Sequence, residues 1–229
     1  MLENVLKRGA LRLWLGMALA TTMMPAAMTM AQEAAPAAEA ESAVATPQLA
    51  SNGFRSAQYG MDEEAVRAAI KSDFDVEGDA ITVGSNTVER TKVLTIRVPD
   101  VLPDGGLADV SYVFGYTSGE LIQVGISWSA AIDPTVDAQR LYANGDVLVA
   151  YFAASGYVPE TVRSGIVLND GILLFRGEDS QGHATVLLLQ GEFETLAEDQ
   201  RALNPVSLAL LYAKDSENPD IFQIQPGQF

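Results

Sequence analysis

Four acidic residues with alternate spacing are the residues in this chain most suited to binding a metal ion. They are Asp73, Asp75, Glu77 and Asp79. With Gly78 they form the pattern D-x-D-x-E-G, which begins like a calcium-binding loop because such loops place oxygen ligands at alternate positions. The twelfth position of that loop requires a bidentate glutamate, and this chain has Gly84 there. The alternative is a solvated acidic segment after a helix, a common feature of acidic chains.

The single histidine, His183, is the other residue whose type suggests chemistry. One histidine does not make a multi-histidine metal site, and a Ser-His relay needs a geometry that the sequence does not reveal. Because His183 stands between Gly182 and an apolar run, we predict a surface position at the start of a strand. The sequence has no nucleophile elbow, phosphate-cradling glycine loop or dinucleotide fingerprint. It therefore predicts no catalytic and no cofactor-binding residue.

Six aromatic residues could line a binding surface, because tyrosine and tryptophan often anchor interfaces. They are Tyr112, Phe114, Tyr116, Trp128, Tyr151 and Phe152. An alternating aromatic face more often packs beneath a helix, so we predict that this set belongs to the core. The glycines and serines on the other side of the same strands then form the better surface for a partner, since small side chains let another molecule approach closely.

The segment 108–128 is the element around which the rest of the chain is arranged. Its two halves alternate bulky apolar residues with small or polar ones, which is typical of strands with one buried face. Between them lies the turn sequence TSGE, whose Gly119 can adopt a positive φ. We predict an antiparallel hairpin with one shared buried face. That face comprises Tyr112, Phe114, Ile122, Val124, Ile126 and Trp128.

A helix is predicted on each side of this hairpin in the sequence. The first follows Asp62, which can cap it, and has Glu63 and Glu64 in its first turn, where acidic residues interact favourably with the helix dipole. Its apolar stripe comprises Val66, Ala69, Ile70 and Phe74.

The second helix is predicted to begin at Asp133-Pro134, with the aspartate as cap and the proline at the first helical position. It should run to about Ser155, because Gly156 can end it. The pair Asn144-Gly145 could divide it into two helices. The buried side of its second half is predicted to comprise Val147, Leu148, Tyr151, Phe152 and Ser155.

Short strands are predicted in both halves of the chain. They cover residues 81–83, 91–98, 165–168, 172–176, 184–190 and 206–213. The polar segment 192–203 is predicted as a loop or a short helical turn. A helix followed by about four strands thus occurs twice, in residues 53–130 and in residues 131–229. We predict an α+β fold of two tandem helix-plus-antiparallel-sheet units, with the helices packed on the sheet, and we leave open whether the sheet is continuous.

Residues 1–31 have the features of a secretory signal peptide. Three basic residues precede an apolar run over 13–24, and Thr29-Met30-Ala31 resembles a small-x-small cleavage site. The run is shorter than the about 20 residues that a bilayer span needs, so we expect no stable membrane span after cleavage near Ala31. Residues 32–52 lack bulky apolar periodicity and are predicted to be a disordered tether. A periplasmic or secreted location follows.

The composition restricts the classes of partner. The chain of 229 residues has a formal net charge of −16, which repels phosphate backbones and makes nucleic acid an unsuitable partner. It has no cysteine, which excludes disulfides, thiol catalysis, thiolate metal sites and lipid attachment through cysteine. A chain without cysteine also suits an oxidising compartment.

Two segments resemble known envelope proteins. The helix start YGMDEEAVRAAI, residues 59–70, resembles that of small proteins of the SmpA/OmlA type, although their lipid-attachment cysteine is missing here. The order of elements is similar to that of β-lactamase-inhibitor-like proteins, in which two such units lie side by side. The run ADVSYVFGYTSGELIQVGISW resembles uncharacterised exported proteins of Gram-negative bacteria. These resemblances imply helices on an antiparallel sheet and a binding function rather than catalysis.

The sequence therefore favours a non-catalytic periplasmic protein, without a cofactor, that binds another envelope protein as an adaptor or an inhibitor-like protein. The alternative is a periplasmic hydrolase or small-ligand-binding protein with an unrecognised carboxylate site. A concave cleft with two or more convergent carboxylates would favour the alternative. A solid core with a flat sheet face would favour the binding protein.

Overall fold

A computed structural model of the chain describes residues 49–99, 101–195, 201–224 and 227. The two α-helices of these ranges are α1 (Glu63–Phe74) and α2 (Ala138–Ala153). The strands are β1 (Gly53–Phe54), β2 (Ala57–Gln58), β3 (Thr82–Asn86), β4 (Thr91–Val98), β5 (Ala108–Phe114), β6 (Leu121–Ser129), β7 (Ile166–Val167), β8 (Gly171–Glu178), β9 (Ala184–Thr195) and β10 (Arg201–Ala213). The predicted signal peptide and the predicted tether up to residue 48 lie outside the described residues.

Eight of these strands form one antiparallel sheet in the spatial order β3-β4-β5-β6-β10-β9-β8-β7. Strands β3 to β6 form one meander and strands β7 to β10 form another, and the two meet where β6 pairs with β10. Strands β1 and β2 form a separate two-stranded sheet. The predicted α+β class is confirmed, with most of the regular structure in strands.

The core lies on one face of the eight-stranded sheet. One row of buried side chains crosses six strands, through Ile96, Val110, Ile126, Leu210, Leu187 and Phe175. Val66 and Ile70 of α1, together with Leu148 and Phe152 of α2, belong to the same hydrophobic cluster. Because the row continues from β6 into β10, the two halves of the chain share one core.

The predicted hairpin is formed by β5 and β6. Its buried face carries Tyr112, Phe114, Val124, Ile126 and Trp128, as predicted. The prediction for Ile122 was wrong, because the register shifts between Val113 and Phe114 and brings Leu121 opposite Phe114. Leu121 is therefore buried, and Ile122 is only half-buried.

Helix α1 begins after Asp62, whose side chain accepts a hydrogen bond from the Ala65 N–H at 2.9 Å, as predicted for its cap. Glu63 forms ion pairs with Arg67 one turn later and with Lys92 of β4, which holds the helix over that strand. Its stripe residues Val66, Ala69 and Ile70 are buried, and the stripe therefore faces the core as the sequence predicted.

Helix α2 differs from its prediction at its start and in its continuity. Its cap is Asp137, four residues later than predicted, whereas Asp133 accepts hydrogen bonds from Thr135 and from the Leu107 N–H. The pair Asn144-Gly145 does not divide the helix. The Asn144 side chain donates to the Gly105 carbonyl at 3.0 Å, and a Cβ at Gly145 would lie 2.8 Å from Leu174 Cδ1. These two residues therefore let α2 lie close to the sheet.

The burial predicted for the second half of α2 is partly wrong. Leu148 and Phe152 are buried as predicted, but Val147 is 58% exposed and Tyr151 is 63% exposed. Adjacent residues of a helix point about 100° apart. The sheet therefore buries only one member of the pair Val147-Leu148 and only one of the pair Tyr151-Phe152.

The polar segment 192–203 does not form the predicted loop or helical turn over its described part. Strand β9 extends to Thr195 and β10 begins at Arg201, so both strands pass well beyond the residues predicted for them. The pairing of Phe193 with Leu203 places an apolar pair on this extension, and the Leu203 carbonyl accepts a hydrogen bond from the Tyr142 hydroxyl of α2 at 2.7 Å.

No helix within the described ranges is both long and apolar enough to cross a bilayer.

Candidate functional site

The face of the eight-stranded sheet that points away from the core is the candidate binding surface, and we call it the opposite face. Its central row runs through Thr95, Ser111, Gly125, Leu211, Val186 and Arg176 on six neighbouring strands. The adjacent row runs through Arg97, Asp109, Ser127, Ala209, Leu188 and Leu173. The glycine and serines that the sequence assigned to a partner surface thus lie together near the middle of the sheet.

The half of the opposite face on β4, β5 and β6 carries polar side chains beside the half-buried Val93 and Val113. The hydroxyl oxygens of Thr95 and Ser111 lie 3.0 Å apart and share a hydrogen bond across the strands. Arg97 donates two hydrogen bonds to Asp109, at 2.7 and 2.9 Å, which neutralises both charges at the edge of this half. Gly125 has no side chain of its own, and Leu211 Cδ1 of β10 lies 3.7 Å from the position that its Cβ would take. A partner can therefore approach the sheet closely here without burying an unpaired charge.

The half of the opposite face on β8, β9 and β10 carries a small aliphatic cluster beside the Arg176–Glu178 ion pair. Its cluster is separate from the main core and consists of Leu173, Val186 and Leu188, with Leu168 and Leu211 packed against it. Leu173, Val186 and Leu188 are only 6 to 7% exposed, so this cluster is already buried within the chain. The accessible part of the opposite face is therefore its half on β4, β5 and β6.

Three of the four acidic residues of the calcium hypothesis have separate roles in the structure, and the fourth, Asp79, is exposed in the 3-10 turn Gly78–Ala80. Asp73 accepts hydrogen bonds from the Ser56 hydroxyl at 2.6 Å and from the Ser56 N–H at 3.0 Å. Glu77 pairs with Lys71 at 2.5 Å, and Asp75 ends α1 in the left-handed conformation. Among the described residues, no three acidic or histidine side chains are grouped so that they could hold a metal ion. Calcium binding stays a prediction, and a melting temperature that millimolar calcium leaves unchanged would exclude it.

His183 precedes β9, as predicted, but it is mostly enclosed by its neighbours. Its Nδ1 lies 3.1 Å from Asp179 Oδ2, and its side chain is 13% exposed. The Asp179 carboxylate also accepts the backbone N–H groups of Ser51, Gln181 and His183 at 2.5 to 2.9 Å. It thus ties the segment that enters the fold at Leu49 to the turn between β8 and β9.

The Asp179–His183 pair has the geometry of one half of a catalytic relay. In the described part of the chain, no hydroxyl hydrogen bond to His183 completes the relay. The nearest aromatic neighbour, Tyr59, packs its ring 5.0 Å from the imidazole, and its buried hydroxyl has no hydrogen-bond partner among these residues. Burial, and then the charge of Asp179, raise the pKa of Tyr59 above its usual value, so this phenol stays neutral.

Sequence reasoning did not identify Asp179. A signal was present, because Asp179 and His183 are separated by the turn sequence SQG in the segment DSQGH. An aspartate at the start of such a turn commonly accepts the N–H groups that follow it. The bond to Ser51, which is 128 residues away in sequence, had no local signal.

A surface cavity of about 460 Å³ lies beside the β5–β6 turn. It is lined by Tyr116, Thr117, Asn218, Pro219, Asp220, Ile221, Phe222 and Gln223. Among the described lining residues Asp220 supplies the only carboxylate, and that carboxylate accepts hydrogen bonds from the N–H groups of Thr117 and Ser118 at 3.0 and 2.8 Å. Burial raises the pKa of Asp220, but the hydrogen bonds from Ser118 and Thr117 outweigh it and the net pKa is lowered. The described lining thus places no second carboxylate beside Asp220.

The aromatic set predicted as core divides into two groups. Tyr112, Phe114, Trp128 and Phe152 are buried, as predicted. Tyr116 is 45% exposed at the cavity, where its ring meets Phe222 edge-on, and Tyr151 lies on the outer side of α2. The prediction is therefore confirmed for the four buried rings and wrong for the other two.

No family model, curated protein or solved structure matches this chain.

Proposed function

We propose that this chain is a non-catalytic protein of the periplasm that binds another envelope protein through the opposite face of its sheet. The observation that carries the proposal is the placement of Ser111, Gly125 and Ser127 at the centre of that face, beside the aliphatic cluster on β8 to β10. Small side chains permit a close approach of a partner to the sheet, whereas the aliphatic cluster is buried within the chain and supports the sheet beneath them.

The acidic charge of the chain indicates the kind of partner. A net charge of −16 attracts positively charged surfaces over distances of about 10 Å at ordinary ionic strength. Removal of the proposed signal peptide would take away three basic residues and one acidic residue, which makes the exported chain more negative still. The proposed partner is therefore an envelope protein with a basic surface, and raised salt should slow the association.

A two-unit organisation supports the same proposal. Helix α1 precedes the meander β3 to β6, and α2 precedes the meander β7 to β10. We propose that residues 53–130 and 131–229 are two related units that present one continuous binding face.

Site-specific photo-crosslinking tests the binding surface. A photoreactive residue at Ser111 or Ser127 should give one adduct of defined mass in living cells, because both positions lie on the opposite face. The matched control is the same residue at Ser72, which is exposed on α1. Identical adducts at all three positions, or adducts only at Ser72, would contradict the proposal. The substitution Ser127→Arg should abolish the adduct formed at Ser111, whereas Ser72→Arg should leave it intact.

The location has its own test. Fractionation followed by N-terminal sequencing should find the protein in the periplasm with Gln32 as its first residue. An intact N-terminus in the cytosolic fraction would contradict export.

The alternative, a hydrolase or small-ligand-binding protein, has the Asp179–His183 pair as its best support. The hydrogen bonds that Asp179 accepts from three backbone N–H groups favour a structural role for this pair instead. Within the described ranges, the cavity at Asp220 offers one carboxylate where a glycosidase-like site needs two. We therefore keep the binding protein as the proposed function.

A further inference from the structure

Strand β3 forms one edge of the eight-stranded sheet, and its outer side is open in the described part of the chain. It pairs with β4 through residues 82–86 and with no other described strand. The remaining backbone N–H and C=O groups of these residues bond to no other described residue. In an antiparallel strand, alternate residues direct both backbone groups to the same side, so about two or three residues of β3 present free groups outward. These are the groups to which a further strand binds.

This edge lacks the features by which proteins usually protect an exposed strand. Protected edges are very short, contain proline or charged residues, or are interrupted by a bulge. The sequence of β3 is TVGSN, its register with β4 is continuous and all five of its residues are exposed. The strand at the other edge of the sheet, β7, has only two residues. Of the two edges, β3 is therefore the one that suits the addition of a strand.

The side chains of β3 leave room and apolar area for an added strand. Val83 lies opposite Leu94, which is fully buried in the core, yet Val83 itself is 52% exposed. The apolar layer of the sheet thus ends at a valine that is only partly covered. At Gly84, no atom lies within 4 Å of the position that a Cβ would take, so nothing there obstructs a neighbouring strand.

The two ends of β3 carry negative charge. Asp79 lies in the 3-10 turn before the strand, and Glu89 lies in the turn after it. Neither carboxylate forms an ion pair with a described residue. The basic side chains close to them in sequence have other contacts, because the Arg90 guanidinium lies 3.6 Å from the centre of the Phe222 ring and Lys92 is paired with α1. The ends of this edge therefore attract positive charge.

We propose that β3 binds an extended, positively charged segment of another protein as a further strand of the sheet. Backbone hydrogen bonds supply most of the affinity in such complexes, and the side chains beside them supply the preference for one partner. The chain's own residues 32–48 contain three glutamates and no basic residue, and a second copy has the same net charge of −16, so both are repelled from this edge. The inference concerns the edge and does not depend on the function proposed for the opposite face.

A synthetic peptide is the probe for this edge. It has about seven residues, with lysine at each end and alternating valine and threonine between them. It should bind the purified full-length protein with a dissociation constant between about 10 µM and 1 mM, and raised salt should weaken the binding. The same peptide with glutamate at each end should bind at least tenfold more weakly. No binding of the lysine peptide, or equal affinity for the two peptides, would overturn the proposal.

N-methylation of the lysine peptide tests whether its backbone pairs with the strand. A methyl group removes an N–H donor and leaves the charge unchanged. Two versions, methylated at the odd or at the even residues, should differ at least tenfold in affinity, because only one set of residues directs its N–H groups to β3. Equal affinities of the two versions would overturn the proposal.

Two substitutions place the peptide on the structure. Val83→Lys should weaken its binding at least tenfold, because a charged side chain on the edge repels the lysines and opposes pairing. The matched control is Val167→Lys on the β7 edge, where Val167 is 61% exposed, and it should leave the affinity unchanged. Gly84→Lys should also weaken binding, and its side chain has room in the free protein. Circular dichroism confirms that each variant is folded, and equal affinities of the three variants would overturn the proposal.

Amide hydrogen exchange shows whether the edge is free in the protein alone. Two or three amides of β3 should exchange quickly without the peptide and at least tenfold more slowly when it is bound. Slow exchange of every β3 amide in the free protein would mean that this chain already covers its own edge, and it would overturn the proposal.

Discussion

Two buried tyrosines of the core differ in whether their hydroxyl groups are satisfied. The Tyr157 hydroxyl donates a hydrogen bond to Thr185 Oγ1 at 2.8 Å, whereas the Tyr112 hydroxyl has no partner among the described residues. Burial raises the pKa of Tyr157 to about 12 and raises that of Tyr112 as well, so both remain neutral at physiological pH. A buried hydroxyl without a hydrogen-bond partner lowers the stability of the fold, because it has lost its hydrogen bonds to water. A paired hydroxyl recovers that loss through its hydrogen bond within the protein.

Substitution of each tyrosine by phenylalanine should therefore have opposite effects. Tyr112→Phe should leave the free energy of unfolding unchanged or raise it, because it removes an unsatisfied polar group. Tyr157→Phe should lower it by about 1–3 kcal/mol, because it leaves the buried Thr185 hydroxyl without its partner. Urea denaturation measures both values. Equal destabilisation by the two substitutions would show that the Tyr112 hydroxyl is hydrogen-bonded.

Asp133 makes the fold sensitive to acid. Hydrogen bonds from the Thr135 hydroxyl, from the Leu107 N–H and from the Thr135 N–H lower the pKa of its carboxyl in the folded protein. A lowered folded-state pKa contributes stability that is present above the unfolded value of about 3.9. That contribution is lost as the pH falls through the folded-state pKa.

Asp133→Asn should therefore destabilise the protein at pH 7 and have little effect at pH 2. Melting temperatures from pH 7 to pH 2 measure the difference between the variant and the original chain, which should shrink steadily below about pH 4. The exposed Asp146→Asn is the control, and it should show no such trend. A difference that stays constant over the whole pH range would contradict the assignment.

Among the elements, α2 shows most clearly how burial is decided by packing. Its residues 147 and 148 are both apolar, yet Leu148 lies against the sheet and Val147 lies outside. Asn144 and Gly145 determine which side of α2 faces the sheet. The Asn144 side chain bonds to the Gly105 carbonyl, and Gly145 leaves room for the Leu174 side chain. The apolar periodicity of the sequence does not distinguish the side of α2 that carries Leu148 from the side that carries Val147.

Alanine substitutions at these neighbouring positions should separate the two sides of α2. Leu148→Ala should lower the free energy of unfolding by about 2–5 kcal/mol, as expected for a buried leucine. Val147→Ala should change it by less than about 0.5 kcal/mol, as expected for an exposed position. Urea denaturation measures both free energies. Similar losses for both variants would mean that Val147 is buried in the monomer.

At the scale of the whole molecule, the decisive contact is the pairing of β6 with β10. It joins Ile126 to Leu210 and Trp128 to Leu208 across about 80 residues of sequence, and it makes one sheet of the two meanders. Trp128 is completely buried. Each half of the chain, when it is alone, therefore lacks the neighbouring strand that completes the buried face of its sheet.

The fragment 53–130 should consequently fail to fold by itself. Its β6 would expose Ile126 and Trp128, and burial of such large side chains contributes several kcal/mol to a domain of modest stability. Circular dichroism and the Trp128 fluorescence spectrum should show an unfolded fragment, and addition of fragment 131–229 should restore the native signals. A fragment 53–130 with a cooperative thermal transition of its own would contradict this expectation.

The sequence alone determined the features that depend on neighbouring residues. The Asp62 cap, the β5–β6 hairpin and the burial of Tyr112 and Trp128 all follow from local pattern, because capping groups, turn residues and strand alternation act over a few positions.

The tertiary structure decided the features that join distant parts of the chain. The β6–β10 pairing, the bond between Asp179 and Ser51 and the outward position of Tyr151 have no local signal. Each depends on which surfaces meet after the chain has closed long loops, and hydrophobicity has no direction by itself. For the same reason, the sequence indicated that a face with glycine and serine exists, and only the sheet brought Ser111, Gly125 and Ser127 together at its centre.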